Sequence, residues 1–146
     1  HVQQLTGEAL ERCDFDNKQL QYTLGRAYSC LQSPNAWGGD TVASKVLHFF
    51  NPSLLVMWNT DIQLSHHKYG AQGYIEFLKT MQLHAVEAVE DFQHLLLPGT
   101  PAEFLSGQLG YNYARPLTKF LDDYNWVTIT KGWPLTAPSW LLDLFH

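Results

Sequence analysis

The chain has 146 residues, of which 45% are hydrophobic and 14% aromatic, and this size suits one domain with a single core. Charged residues make up only 16%, against about 25% in an ordinary soluble domain, so we expect a large core or a sizeable apolar surface. The formal net charge of -5 argues against a general nucleic-acid coat protein, because phosphate binding depends on lysine and arginine. A local basic patch is not excluded.

Cys13 and Cys30 are the only cysteines. They are too few for a disulfide scaffold and lack metal-site spacing, so we expect reduced thiols. No run of residues approaches the roughly 20 apolar positions of a membrane span, and no signal peptide is recognised. We therefore expect a soluble, intracellular protein of the cytoplasm that does not meet a membrane. No cofactor is predicted.

The first third of the chain is predicted to form helices separated by one loop. Residues 2–12 are a short helix candidate, and residues 16–31 carry apolar positions at helical spacing. Residues 33–40 (SPNAWGGD) are expected to form a loop because of their proline and glycine content. Asp40 or Thr41 is the expected cap of the next helix, which ends at Phe50.

That helix carries one apolar face, which we expect to point into the core. Its members are Val42, Val46, Phe49 and Phe50. Pro52 suits the first turn of a further short helix, where a missing N–H has no intrahelical partner to lose. The apolar residues that follow are expected to join the core together with the two phenylalanines: Leu54, Leu55, Met57 and Trp58.

The clearest predicted element is a long helix over residues 73–97, ended by Pro98 and Gly99. Its apolar stripe has a 3.6-residue period and contains Tyr74, Phe77, Leu78, Met81, Ala85, Ala88, Phe92 and Leu96. Pro101 is expected to open another short helix. The long helix should therefore form the centre of the domain.

The last part of the chain is predicted to be helical as well. Residues 115–126 form a helix with Pro116 at its start, and residues 139–145 (SWLLDLF) form a short apolar helix. Residues 126–130 (WVTIT) are the only strand-like run, and because one strand has no partner we interpret them as an extended segment. The prediction is an all-α fold: a single compact domain over residues 1–146, with six to eight helices around one long central helix.

Two groups of polar residues on predicted helices have chemistry to consider. His84, Glu87, Asp91 and His94 form a line of metal-capable side chains. At 100° per residue this line lies roughly opposite the apolar stripe, so exposure to solvent is the favoured interpretation and a metal site the weaker one. Asp122 and Asp123 are adjacent, and we expect one of them to form a helix ion pair with Lys119.

A resemblance to known proteins is carried by residues 36–62. A glycine-containing turn leads into TVASKVLHFF, followed by Pro52, an apolar run, and VMWNTDI. This order of features resembles the middle of the helix-hairpin-helix DNA glycosylase superfamily, and also a group of uncharacterised helical proteins with LHF-NP and F-MWD segments. In the superfamily, backbone N–H groups of a Gly-x-Gly hairpin bind DNA phosphate. An Asp at a helix N-terminus stabilises the positive charge that forms on the sugar as the base leaves.

The resemblance implies site residues, and the chain departs from the pattern at some of them. Asn59 stands at the position of the Asp, with Asp61 two residues later. A neutral amide cannot stabilise a cation as a carboxylate does. Trp37 stands where the first hairpin glycine would be, and the acidic Asp40 lies beside the phosphate site. The lysine of the superfamily's lyase branch has no counterpart, since Lys45 lies a turn too far along.

The favoured hypothesis is a degenerate or inactivated DNA-glycosylase-like domain that acts on or binds damaged or flipped bases, as in DNA repair. The expected site residues are Asn59 and Asp61 as catalytic positions, and Gly38, Gly39, Lys45, Trp58 and Lys119 as DNA- or substrate-binding positions. Whether the chain is an enzyme is left open; it would be N-glycosylase-like if active. In the simplest alternative Asn59 or Thr60 only caps a helix.

A second hypothesis is a non-enzymatic helical interaction domain. The low charge and the aromatic C-terminal segment, with Trp126, Trp133 and Trp140, motivate it, because aromatic residues are enriched at interface hot spots. The partner would be another protein or a second copy of the chain. A metal enzyme built on the line from His84 to His94 is a distant third hypothesis.

Overall fold

The computed structural model describes residues 8–32 and 39–136. Within these ranges the regular elements are all helical, which confirms the predicted all-α fold. The elements are a 3₁₀ helix Leu10–Arg12, the α-helices α1 (Lys18–Gln32), α2 (Gly39–Phe50), α3 (Thr60–His66), α4 (Gly70–His94), α5 (Pro101–Gln108) and α6 (Leu117–Asn125), and a π-helix Trp126–Thr130. In the described ranges, no helix is long and apolar enough to cross a bilayer.

The predicted terminal elements lie largely outside the described residues. Of the helix expected over residues 2–12, the structure describes only the part from Glu8 onward, where Leu10–Arg12 form a 3₁₀ turn. The expected C-terminal helix, Trp140 and Gly38 all lie outside the described ranges. The predicted loop includes Gly39 and Asp40, but these two residues form the first turn of α2.

The long helix α4 is the centre of the domain, as predicted. It packs against α1, α5 and α6. Six residues of the predicted stripe are buried: Tyr74, Phe77, Leu78, Met81, Ala85 and Phe92. The prediction was wrong for Leu96, because the helix ends at His94 and Leu96 follows it with φ 52° and an exposed side chain.

The apolar face of α2 that was predicted to point into the core is turned largely toward solvent. Phe49 and Phe50 are 84% and 60% exposed, so the expectation that they belong to the core was wrong. The buried side of α2 is formed instead by Ala43, Ser44 and Leu47. These residues are mostly small and allow the following apolar segment to pack close to the helix, so that segment occupies the core in place of the phenylalanines.

Two local predictions were also wrong. Pro52 opens no helix; residues 52–54 form a turn whose Ser53 and Leu54 N–H groups donate to the Asn51 side-chain oxygen. Residues 126–130 are not extended, because they continue α6 directly as a π-helix. The Trp126 carbonyl accepts from the Lys131 N–H at 2.9 Å. Their β-branched composition favours strands only weakly, and helix packing overrides it.

An aromatic cluster fills the core where α1, α4 and the segment after α2 meet. Tyr28 and Tyr74 stack with ring centroids 4.8 Å apart, and Trp58 lies 5.3 Å from Phe77. The Trp58 indole N–H donates to the Tyr28 hydroxyl at 2.9 Å. The Tyr28 hydroxyl donates to the Asp40 carbonyl and the Tyr74 hydroxyl to the Val56 carbonyl. The polar groups of these three rings therefore have partners, as is usual for buried tyrosine and tryptophan.

Candidate functional site

A largely buried segment, residues 54–58, runs between α2, α4 and α6. Its first two N–H groups donate to the Asn51 carbonyl. Because no strand lies beside it in the described part of the chain, other polar groups of its backbone bond to side chains of the surrounding helices. His48 contacts the Leu55 carbonyl at 2.6 Å, and the Tyr74 hydroxyl donates to the Val56 carbonyl at 2.8 Å. Because unpaired buried backbone groups cost free energy, these side chains are needed to keep the segment inside the core.

Three further bonds hold the end of the segment. The Met57 N–H donates to Oδ1 of Asp122 at 2.6 Å. The Trp58 N–H donates to the Ser44 hydroxyl at 3.2 Å, and that hydroxyl lies 3.1 Å from the Trp58 carbonyl, to which it donates. The apolar run that begins after Pro52 is thus fixed on both sides before it reaches Asn59.

Asp122 is the most unusual ionisable group in this region. Its side chain is only 5% exposed, and Oδ2 is buried with no hydrogen-bond partner in the described structure. Burial raises the pKa of Asp122 to about 7, against the lowering effect of the Met57 N–H and of Lys119. A carboxyl of this kind changes its protonation near neutral pH, which is the range in which acid–base groups of binding and catalytic sites operate.

A pocket of about 380 Å³ lies above this carboxyl. It is lined by Lys45, Met57, Trp58, Asn59, Ile62, Lys119, Asp122, Asp123 and Trp126. Four of the seven residues expected at the site therefore share one pocket: Lys45, Trp58, Asn59 and Lys119. The first three are near in sequence, but Lys119 comes from α6, so its presence there depends on the tertiary fold.

Asn59 is the N-cap of α3, as the simplest alternative had it. Its side-chain oxygen accepts from the Ile62 N–H at 2.9 Å, and its amide donates to the Thr130 hydroxyl at 2.8 Å. The second bond joins the start of α3 to the π-helix after α6. Both polar atoms of Asn59 are thus occupied, and the side chain closes one end of the pocket.

The pocket wall combines two ammonium groups with one accessible ring. Lys45 is exposed and has no ion pair with the described part of the chain, whereas Lys119 pairs with Asp123 at 2.8 Å, as predicted for this helix. Trp58 is buried and forms a wall of the pocket rather than a stacking surface. Trp126 is 45% exposed and is the ring that a ligand can reach.

The remaining expected residues are not in the pocket. Asp61 is exposed in the first turn of α3 and does not line it. Gly39 is exposed at the start of α2 with φ 32° and does not line it either. Gly38 lies outside the described residues. The pocket therefore gathers the expected binding lysines but only one of the two expected catalytic positions.

The metal hypothesis finds no geometric support in the described ranges. No group of three or more histidine, cysteine or acidic side chains comes together there. The line on α4 is exposed, as predicted, and contains one contact, between His84 and Glu87 at 3.4 Å. The described cysteines are both free thiols, Cys13 buried and Cys30 exposed.

A larger cavity, of about 630 Å³, lies between the 3₁₀ helix, α4 and α5. It contains none of the residues expected from the sequence, and the charged residues that line it are Glu11, Arg12 and Glu90. Its size alone does not make it the better candidate. The pocket above Asp122 is favoured because it holds four of the residues expected from the sequence and a buried carboxyl with a raised pKa.

Searches of protein-family models, of curated proteins and of solved structures found no significant match to this chain. The resemblance of residues 36–62 to the glycosylase superfamily therefore stays a prediction.

Asp122 is the residue of this site that the sequence interpretation missed. We expected one of the two acids to pair with Lys119, and Asp123 does so at 2.8 Å. Asp122 shares one face of α6 with Thr118 and Asn125, and all three are buried. Because these three residues are polar, helical periodicity predicts that their face is exposed to solvent, so the sequence carried no signal that Asp122 is buried.

Proposed function

We propose that the pocket above Asp122 binds an unpaired or damaged base of a nucleic acid, in a glycosylase-like domain with little or no N-glycosylase activity. The observation that carries the proposal is the convergence of Lys45, Asn59 and Lys119 from separate elements around one pocket. Lysines at the rim suit phosphates on either side of an extruded base. The pocket volume, about 380 Å³, falls within the range of roughly 300–1,000 Å³ typical of small-molecule sites.

The aromatic side chain at the rim supports a base as ligand. Trp126 is half exposed beside the pocket, and stacking of a base on an aromatic ring contributes about 1–3 kcal/mol. The Lys131 Nζ lies 4.9 Å from the centroid of this ring. An aromatic surface flanked by cations matches both the flat ring and the charged backbone of a nucleotide.

Low catalytic activity follows from Asn59. Its amide is neutral and already donates to Thr130, so it cannot offer the negative charge that stabilises a cationic sugar. The acid two residues later, Asp61, lies outside the pocket. We therefore propose that the domain mainly binds the base. We expect base release to be faster for the Asn59→Asp variant than for the wild type.

The test is a salt titration of binding to a duplex with an abasic site and to an intact duplex. We expect preference for the abasic duplex and affinity that falls with salt. Lys45→Ala should weaken binding and reduce the salt dependence. Lys18→Ala, an exposed lysine of α1 that does not line the pocket, is the matched control and should bind as the wild type does. Absence of binding at low salt would refute the proposal.

A second candidate function, a protein-interaction domain, is favoured by one observation. Phe49 and Phe50 on α2 and Trp133 after the π-helix are more than half exposed, which is unusual for such large apolar side chains. This candidate predicts a dimer or a complex, measurable by light scattering. Phe49→Ser should then reduce the molar mass, and a monomeric wild type at high concentration would argue against self-association.

A further inference from the structure

We propose that Asp122 determines which base the pocket accepts, because its Oδ2 receives a hydrogen bond from an N–H group of the bound base. The inference rests on the proposed base-binding function. It selects bases that present an amino or imino hydrogen to the pocket floor, and it disfavours ring systems that lack one.

The geometry leaves one oxygen of this carboxyl in need of a donor. Oδ1 is held by the Met57 N–H at 2.6 Å, which fixes the plane of the carboxyl. Oδ2 has no hydrogen bond in the described structure although it is buried. A buried acceptor without a donor is destabilising, and a ligand that supplies the donor removes that cost on binding. In its ionised form the carboxyl can therefore accept a hydrogen bond from a donor on the ligand.

The protein's own nitrogen donors next to Oδ2 do not fill this role. The His48 Nδ1 is 4.0 Å away and its hydrogen points to the Leu55 carbonyl, which can only accept, at 2.6 Å. The Lys119 Nζ is 3.9 Å away and donates to Asp123 at 2.8 Å. Of these two neighbours Lys119 is on a flexible chain, so its ammonium can turn toward a ligand phosphate and open the way to Oδ2.

The protonation state of Asp122 sets when the bond can form. Burial raises its pKa to about 7; the Met57 N–H, Lys119 and Arg115 lower it, and Asp123 raises it. The other groups that face it are His48 from α2 and the buried Tyr74 hydroxyl from α4. Above neutral pH the ionised carboxyl accepts strongly from an N–H donor. In acid the proton on the carboxyl removes this acceptor.

The experiment compares duplexes with one unpaired central nucleotide, carrying either adenine or purine, which lacks the amino group. At pH 8 we expect adenine to bind roughly tenfold more tightly, the order of discrimination of a good polar contact to a base. At pH 5.5 the preference should disappear. Asp122→Asn keeps an oxygen for the Met57 N–H but places an amide where Oδ2 stood, so it should abolish the preference at pH 8.

Asp91→Asn is the matched control, since it removes an exposed acid of α4 that does not line the pocket, and it should keep the preference. If Asp122→Asn does not fold, the comparison of wild-type binding at pH 8 and at pH 5.5 still tests the inference. Equal binding of adenine and purine by the wild type at pH 8 overturns the inference and leaves base binding intact. A preference that survives in folded Asp122→Asn overturns it as well. Failure of the wild type to bind either duplex refutes both the inference and the proposed function.

Discussion

Oδ1 of Asp122 accepts the backbone N–H of Met57 at 2.6 Å, and this bond joins α6 to the buried segment between α2 and α3. The same carboxyl forms the floor of the pocket. One side chain thus contributes to the packing of the core and to the acid–base properties of the site. Its ionisation must affect the stability of the fold as well as the pocket, and the two effects are measurable separately.

As the pH rises from 4 to 8, the free energy of unfolding should decrease because the buried Asp122 carboxyl loses its proton. The pKa is raised from 3.8 to about 7 in the folded chain, so the folded state binds a proton that the unfolded state has released. The stabilising contribution is complete below pH 4 and is lost as pH rises through 7. The amide of Asp122→Asn does not titrate, so the variant lacks this loss. Between pH 4 and pH 8 the free energy of unfolding of the variant should rise by roughly 3–4 kcal/mol relative to that of the wild type.

The measurement is urea denaturation of both proteins at several pH values. Asp91→Asn is the control, because Asp91 is an exposed acid of α4 that is not among the groups acting on the pKa of Asp122. Exposed charges contribute little to stability, so this variant should follow the wild-type pH profile closely. A pH-independent difference between Asp122→Asn and wild type would contradict the prediction.

Asn59→Ala should destabilise the fold by about 1 kcal/mol, the usual effect of losing an N-cap, with a further loss from the bond to Thr130. Asn59→Asp keeps an oxygen for the Ile62 N–H and places a negative charge at the positive end of α3. We expect its stability to stay within about 0.5 kcal/mol of wild type. Thermal denaturation distinguishes the two, and equal losses would show that the cap bond is not the relevant interaction.

The two faces of α2 should respond differently to truncation. Leu47 is buried, and Leu47→Ala should cost about 2–5 kcal/mol. Phe49→Ala removes a side chain that is 84% exposed and should change stability by no more than about 0.5 kcal/mol. Guanidinium denaturation of the two variants compares them directly. A large loss from Phe49→Ala in the isolated monomer would mean that this face is covered.

A pair of helical glycines offers a test of close packing. A Cβ at Gly73 would lie 2.9 Å from the carbonyl carbon of Lys68, so Gly73→Ala should destabilise by about 1–3 kcal/mol. At Gly107 in α5 a Cβ meets nothing within 4 Å. Gly107→Ala should therefore stabilise by about 0.5–1 kcal/mol. Calorimetry that ranks the two variants in the opposite order would refute this interpretation of α4.

The elements that the sequence predicts well are those with local causes. The stripe of α4 and the proline at the start of α5 are both determined within a few residues, and Thr100 adds a capping box with Glu103. The face of α2 could not be assigned in the same way. Periodicity groups Phe49 with Val42 on one side, but it does not say which side is inside. Which side is buried depends on residues 54–58, which pack against the face formed by Ala43, Ser44 and Leu47.

The site was only partly predictable for the same reason. Lys45, Trp58 and Asn59 could be proposed because they lie in one short stretch, and Lys119 because it is a cation on a helix. Asp122 acquires its properties from the Met57 N–H, which belongs to a distant part of the chain. Sequence patterns record the spacing of neighbours and contain no direct sign of such a long-range bond.

The buried segment has a consequence for how the protein opens. Its backbone is bonded to side chains of α2, α4 and α6, so the whole segment leaves the core only when contacts with all three helices break. The Met57 amide donates to Asp122, and its exchange with deuterated solvent requires that α6 move away. Amide exchange follows local opening when such opening precedes global unfolding. One backbone amide therefore records how often the floor of the pocket leaves its place, in the unmodified protein and without any ligand.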